Sequence, residues 1–264
     1  MLQAHSLLWN YLWVAPNLLV FSLGILLWKR GFNRILPSFL AFAILTAVGD
    51  LATFLADVIP SVKPETFWRF FWAELLLESL LKFLVVGEVF SRVFNPYPSI
   101  GRLGKVLVSG CGALLVLMAA IIAGFAKGDS VIHIIATAHL LEQTVFIIES
   151  GLIIFLFLFA AYFHLSWDRL SFGVLFGLGI SSCEHLATWA IIANTSPSEH
   201  IRALFAFLNM ATYHVAVLIW FYYLLVPEKT GKSPKTPKPP TPTIRLPEND
   251  LAVWNREVER LLHQ

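Results

Sequence analysis

Glu74, Glu78 and Lys82 recur every four residues inside the apolar run WAELLLESLLKF, from Trp72 to Phe83. On a helix that spacing keeps them within roughly 80° of one face. Two carboxyls and an amine on one face can pair as ions, share a proton or hold a cation. Similar residues recur in other apolar runs: Asp50, His139 with Glu142 three residues on, Glu149, the adjacent Glu184 and His185, and His214. His139, Glu142 and Glu149 also fit within roughly 80° of a helix face, and Asp50 and Asp57 differ by about 20°. Asn10, Asn17, Asn209 and Tyr213 offer neutral hydrogen-bond partners nearby.

These residues sit in a chain built for lipid. Of its 264 residues 57% are hydrophobic and 14% charged, with a mean hydropathy of +0.71. Soluble domains carry roughly 25% charge, so the composition indicates an integral membrane protein. A net charge of +2 is too small to argue for nucleic acid, and none is expected as a partner. Cys111 and Cys183 both fall in apolar runs and suggest neither a disulfide framework nor a metal ribbon.

Seven apolar stretches, near 6–28, 35–58, 66–90, 105–126, 132–163, 170–194 and 201–226, each reach the ~20 residues that a helix needs to cross a bilayer. The expected fold is an all-α, polytopic bundle of seven transmembrane helices over 1–226. Lys29, Arg30, Arg34, Arg92, Arg102, Lys105, Arg169 and the tail put most positive charge on one side, predicting the N-terminus outside and the C-terminus in the cytoplasm. Trp9, Trp13, Trp68, Trp72 and Trp189 at outer span ends, with Trp28, Trp167, Trp220, Tyr222 and Tyr223 at inner ones, read as interfacial aromatic belts. Gly173 and Gly177 read as a helix-packing surface. Residues 227–247 are rich in proline and lysine and predict an extended cytoplasmic linker. Residues 248–264 place Leu251, Trp254, Val258, Leu261 and Leu262 on one helical stripe, which suits either the bilayer surface or a cytoplasmic partner.

An ionised side chain facing lipid costs about 2.5–3.5 kcal/mol on insertion scales. The charged residues are therefore expected to face one another inside the bundle. Counted at ~1.5 Å per residue from the outer ends, most fall roughly 10–20 Å deep. Asp57 and His133 belong at the outer rim, and Glu88 at the cytoplasmic end. Six carboxyls then stand against Lys82 alone, a balance that calls for shared protons, His⁺, a bound cation or water. Glu78 and Lys82 also suit an ordinary ion pair along one helix.

Three functions follow from such a layer. One is the binding or sensing of a small ligand, ion or proton at Asp50, Glu74, Glu78, Lys82, Glu142, Glu184 and His214, relayed through the tail. Another is proton- or ion-coupled transport. The third is an intramembrane enzyme holding a transition metal or haem on His139, His185 and His214. No HExxH, paired HxxxH or catalytic serine motif is present, which favours a non-enzymatic role. The last span has no lysine for a retinal Schiff base, so retinal is not expected. It also has one internal histidine, His214, where zinc hydrolases related to alkaline ceramidase carry HxxxH. The stretches GEVFSRVFNPYPSIGRLGK, SGLIIFLFLFAAYFHLSWDRLSFGVLFGLGI and AVLIWFYYLLVPE resemble a group of uncharacterised seven-helix membrane proteins of soil bacteria. That resemblance implies a bacterial inner membrane and no particular activity.

Overall fold

The computed structural model describes residues 6–94, 108–114, 131–162, 167–195, 198–226 and 247–262, with Tyr97, Ile100, Arg102, Gly104, Val106, Leu117 and Leu165. The side chains at 65, 131–142, 189, 193–195, 199, 247–251 and 261–262 fall outside that description. Helices are the only regular structure among the described residues. They are α1 (Leu7–Lys29), α2 (Pro37–Val58), α3 (Pro64–Val93), α4 (described over 108–114), α5 (Val131–Tyr162), α6 (Arg169–Thr195), α7 (Glu199–Leu225) and α8 (Pro247–Leu262), with a single 3-10 turn, Phe32–Arg34, between α1 and α2.

Local chemistry sets the helix ends. Ser6 caps α1 by accepting from the Trp9 N–H at 3.2 Å, and Gly31, at φ 80°, follows its last turn in the left-handed conformation that glycine adopts without strain. Proline opens both α2 and α3, where its missing N–H costs nothing. Asp168 accepts from the Ser171 N–H and hydroxyl, both at 2.7 Å, and so caps α6.

Five described segments are long and apolar enough to cross a membrane: Leu7–Lys29, Pro37–Val58, Gln143–Tyr162, Arg169–Ile192 and His200–Leu225. The sequence predicts seven. At 30 residues α3 has the length, but Glu74, Glu78 and Lys82 lie at its centre and keep it from counting as apolar. Much of the expected fourth span, and the linker up to α8, lie outside the described residues.

The helices close a ring. α1 packs on α2, α2 on α3, α3 on α5, α5 on α6, α6 on α7, and α7 returns to α1; α3 also touches α6 across the interior. α4 packs beside α3, with Val108 next to Gly87. The polarity is inverted relative to a soluble bundle. Leu18 and Ile25 on α1, Phe70, Leu77 and Leu84 on α3, and Leu208, Val215 and Leu218 on α7 are all exposed at about one- or two-turn intervals. Such apolar stripes on an outer surface are what acyl chains cover, as in a membrane-embedded protein.

One end of the ring is tightly packed. Trp220 is 1% exposed, meets the rings of Phe39 and Phe42 edge-on, and donates to the Val174 carbonyl at 3.1 Å. The interfacial role expected of Trp220 is therefore corrected: α6 supplies Gly177 where the indole lies, and a Cβ there would collide with its Nε1. Gly173 makes the same allowance for Tyr223, so the GxxxG pair packs α6 on α7.

Candidate functional site

The interior of the ring holds a cavity of about 270 Å³. α1 contributes Trp9, Leu12, Trp13 and Asn17; α2 contributes Asp50 and Thr53. Phe71, Glu74, Glu78 and Lys82 come from α3, Phe146 from α5, Ser181 and His185 from α6, and Asn209, Met210 and Tyr213 from α7. Two charge groups, joined by a neutral network, organise it.

The first group is Lys82. Its Nζ lies 2.9 Å from Glu78 Oε1 one turn away, 3.6 Å from Glu149 Oε2 on α5, and 5.0 Å above the Phe146 ring. Glu149 is 1% exposed, with the Ser182 hydroxyl of α6 as its other polar neighbour. Two carboxyls thus share one ammonium, which also acts on Asp50 at longer range.

The second group is Asp50 with Glu74. Their carboxyls lie within hydrogen-bonding reach of each other, which two carboxylates tolerate only with a proton or cation between them. Thr53 donates to Glu74 Oε2 at 3.2 Å, while Oε1 has no hydrogen-bond partner among the described residues. Gly49 allows this approach of α2 and α3, since a Cβ there would stand 2.8 Å from Glu74 Cγ.

Neutral groups complete the wall. Asn17, 2% exposed, donates to the Trp13 carbonyl at 2.9 Å, accepts from the Tyr213 hydroxyl at 3.4 Å and reaches Asp50. Pro16, one residue earlier, lacks the N–H that would serve the Leu12 carbonyl, and so leaves a further polar group along this face of α1. Trp9 packs edge-on against Trp13 and Phe207, and its Nε1 has no partner among the described residues.

The sequence candidates divide accordingly. Asp50, Glu74, Glu78, Lys82 and His185 line one void. Glu184 turns aside, accepting from Thr188 at 2.7 Å and, with the Asn209 amide oriented to satisfy both its atoms, from Asn209 at 2.6 and 2.7 Å. His185 stacks on Phe146 at 4.3 Å, with Nδ1 3.3 Å from the Ser181 carbonyl and 3.6 Å from Glu184. His214 is not in the lining: its ring lies against Tyr11, and its Nδ1 has no partner among the described residues. The side chains of His139 and Glu142 lie outside the described residues. Among the described residues, no three His, Cys, Asp or Glu side chains form a metal-binding group.

Trp9 and Trp13 face this cavity, although their position near a helix end reads as a belt. Their spacing with Asn17, at i, i+4 and i+8, carried the signal, because it puts all three on one stripe ending in an amide. A wider cleft, of about 1130 Å³, lies at the other end between α3 and α4. Its polar groups are already engaged: Glu88 accepts from the Ser38 N–H at 2.9 Å, and Arg92 donates to the Ile35 carbonyl at 2.7 Å and pairs with Asp168 at 3.4 Å.

No family model, curated protein or solved structure matches this chain.

Proposed function

We propose that the chain is a seven-helix membrane protein, N-terminus outside and tail in the cytoplasm, that binds a small ligand, ion or proton in the interior cavity and signals its presence through the tail. The observation that carries this reading is the cavity itself. It joins residues of six helices, and it sets the partly unpaired Asp50–Glu74 group among aromatic rings inside an apolar shell. Intramembrane ionisable groups are costly, and such groups mark ligand, ion or proton sites more often than packing. The orientation is supported by Arg30, Arg92 and Arg169, which gather at one end of the ring, where the linker to α8 also begins.

The test is thermal stabilisation of the full chain in lipid nanodiscs by a panel of small molecules at several pH values. Stabilisation that disappears in Glu74→Gln supports the cavity. A panel and pH range that leave the melting temperature unmoved remove it.

Proton-coupled transport is the second reading. The Asp50–Glu74 pair favours it, because carboxyls within hydrogen-bonding reach hold a proton that a passing cation can displace. Flux into proteoliposomes driven by a pH gradient, and lost in Glu74→Gln, selects this reading over sensing.

A further inference from the structure

Resting on that reading of the cavity, we propose that its ligand is a small organic cation, a primary or secondary ammonium on a compact aliphatic or aromatic body, held at the Asp50–Glu74 pair and enclosed by the aromatic wall.

Charge points this way first. The ion pairs of Lys82 run to Glu78 at 2.9 Å and Glu149 at 3.6 Å, and its field reaches Asp50 only at longer range. Asp50 and Glu74 have each other and the neutral partners Asn17 and Thr53, with no cation in direct contact among the described residues and with Glu74 Oε1 buried and without a hydrogen-bond partner among them. An ammonium brings up to three donors and one positive charge, which answers both deficits.

The walls point the same way. Trp9, Trp13, Phe71, Phe146 and Tyr213 line the void, and the negative face of an aromatic ring attracts a cation. One of these rings already holds an ammonium, since Lys82 Nζ lies 5.0 Å above Phe146. An inorganic divalent ion fits less well, because the described residues supply no metal-binding group of three. At ~30 Å³ per water the void equals about nine water volumes, below the usual size of a drug-sized pocket, so the ligand is small.

The test titrates the full chain in nanodiscs with phenethylamine, its uncharged isostere 2-phenylethanol, phenylacetate, and sodium chloride alone, following tryptophan fluorescence. The expected result is a saturable response to the amine, at least about tenfold weaker with the alcohol and missing with phenylacetate. Asp50→Asn and Glu74→Gln each weaken the amine by about 30-fold or more and leave the alcohol unchanged. Trp13→Leu removes a ring and no charge, so it checks the proposal even where a carboxyl variant fails to fold; it weakens the amine more than the alcohol. Equal binding of amine and alcohol overturns the cation class while leaving the cavity reading standing. A response to sodium chloride that matches the amine overturns the organic class. No saturable response to any probe overturns the proposal, and the stabilisation panel then decides the cavity reading separately.

Discussion

Lys82 of α3 and Glu149 of α5 meet at 3.6 Å, both less than a tenth exposed, and their contact joins two neighbouring helices through the interior. Removing one partner of a buried ion pair leaves an uncompensated charge and costs about 3–5 kcal/mol. Lys82→Met is therefore expected to destabilise the protein on that scale. Lys82→Met combined with Glu78→Gln and Glu149→Gln should recover much of the loss, because no charge is then stranded. Equilibrium unfolding in mixed micelles measures both; a triple variant no better than the single one counts against the pair.

Gly49 gives a sharper probe of the site. A Cβ there would lie 2.8 Å from Glu74 Cγ, so Gly49→Ala forces the Glu74 side chain to shift and is expected to loosen its contacts with Asp50 and Thr53. The side chain can move, so the expected stability cost is modest, about 1–3 kcal/mol. Ligand-dependent stabilisation should fall as far as it does in Glu74→Gln. Normal ligand response in Gly49→Ala would show that the carboxyl pair is not needed.

The α6–α7 seam should behave differently. A Cβ at Gly177 meets the indole of Trp220, which is fully packed and cannot withdraw. Gly177→Ala is expected to cost about 3 kcal/mol, the upper end for overpacking, with loss of the hydrogen bond to the Val174 carbonyl. A melting temperature within error of the parent chain would overturn this packing.

Arg30 donates to the Leu225 carbonyl at 3.3 Å, and Arg169 to the Tyr222 carbonyl at 3.1 Å while lying over the Tyr222 and Tyr223 rings. Both cap the last turn of α7, where a cation favours the helix dipole. Each alanine substitution should cost about 0.3–1 kcal/mol, read as a small fall in unfolding midpoint.

Orientation has its own check. A fluorescent protein fused after Gln264 should fold and fluoresce in cells, and alkaline phosphatase at the same place should be inactive. The reverse pattern would turn the topology over.

Helical spacing made much of this readable from the sequence. The four-residue repeat of Glu74, Glu78 and Lys82 puts all three on one face, and the cavity takes all three. The cost of charge in lipid turned that face inward with Asp50. Other features depend on which helices become neighbours, and no local pattern encodes that. Tryptophans near a helix end look alike whether they meet headgroups, as a belt requires, or a void, as Trp9 and Trp13 do. Glu184 and His185 were separable by their 100° offset, but only the position of Asn209 on α7 decides which of the two turns from the cavity. Asp168 carried no signal beyond a helix cap; its second partner, Arg92, is 76 residues away.

A set of polar ties binds the Trp220 end of the ring: Arg30 to α7, Arg92 to the α1–α2 turn and to Asp168, Arg169 to α7, and Ser38 to Glu88. Those knots join five helices in a closed circuit, so a shift of any one strut would tug on its neighbours where α7 ends.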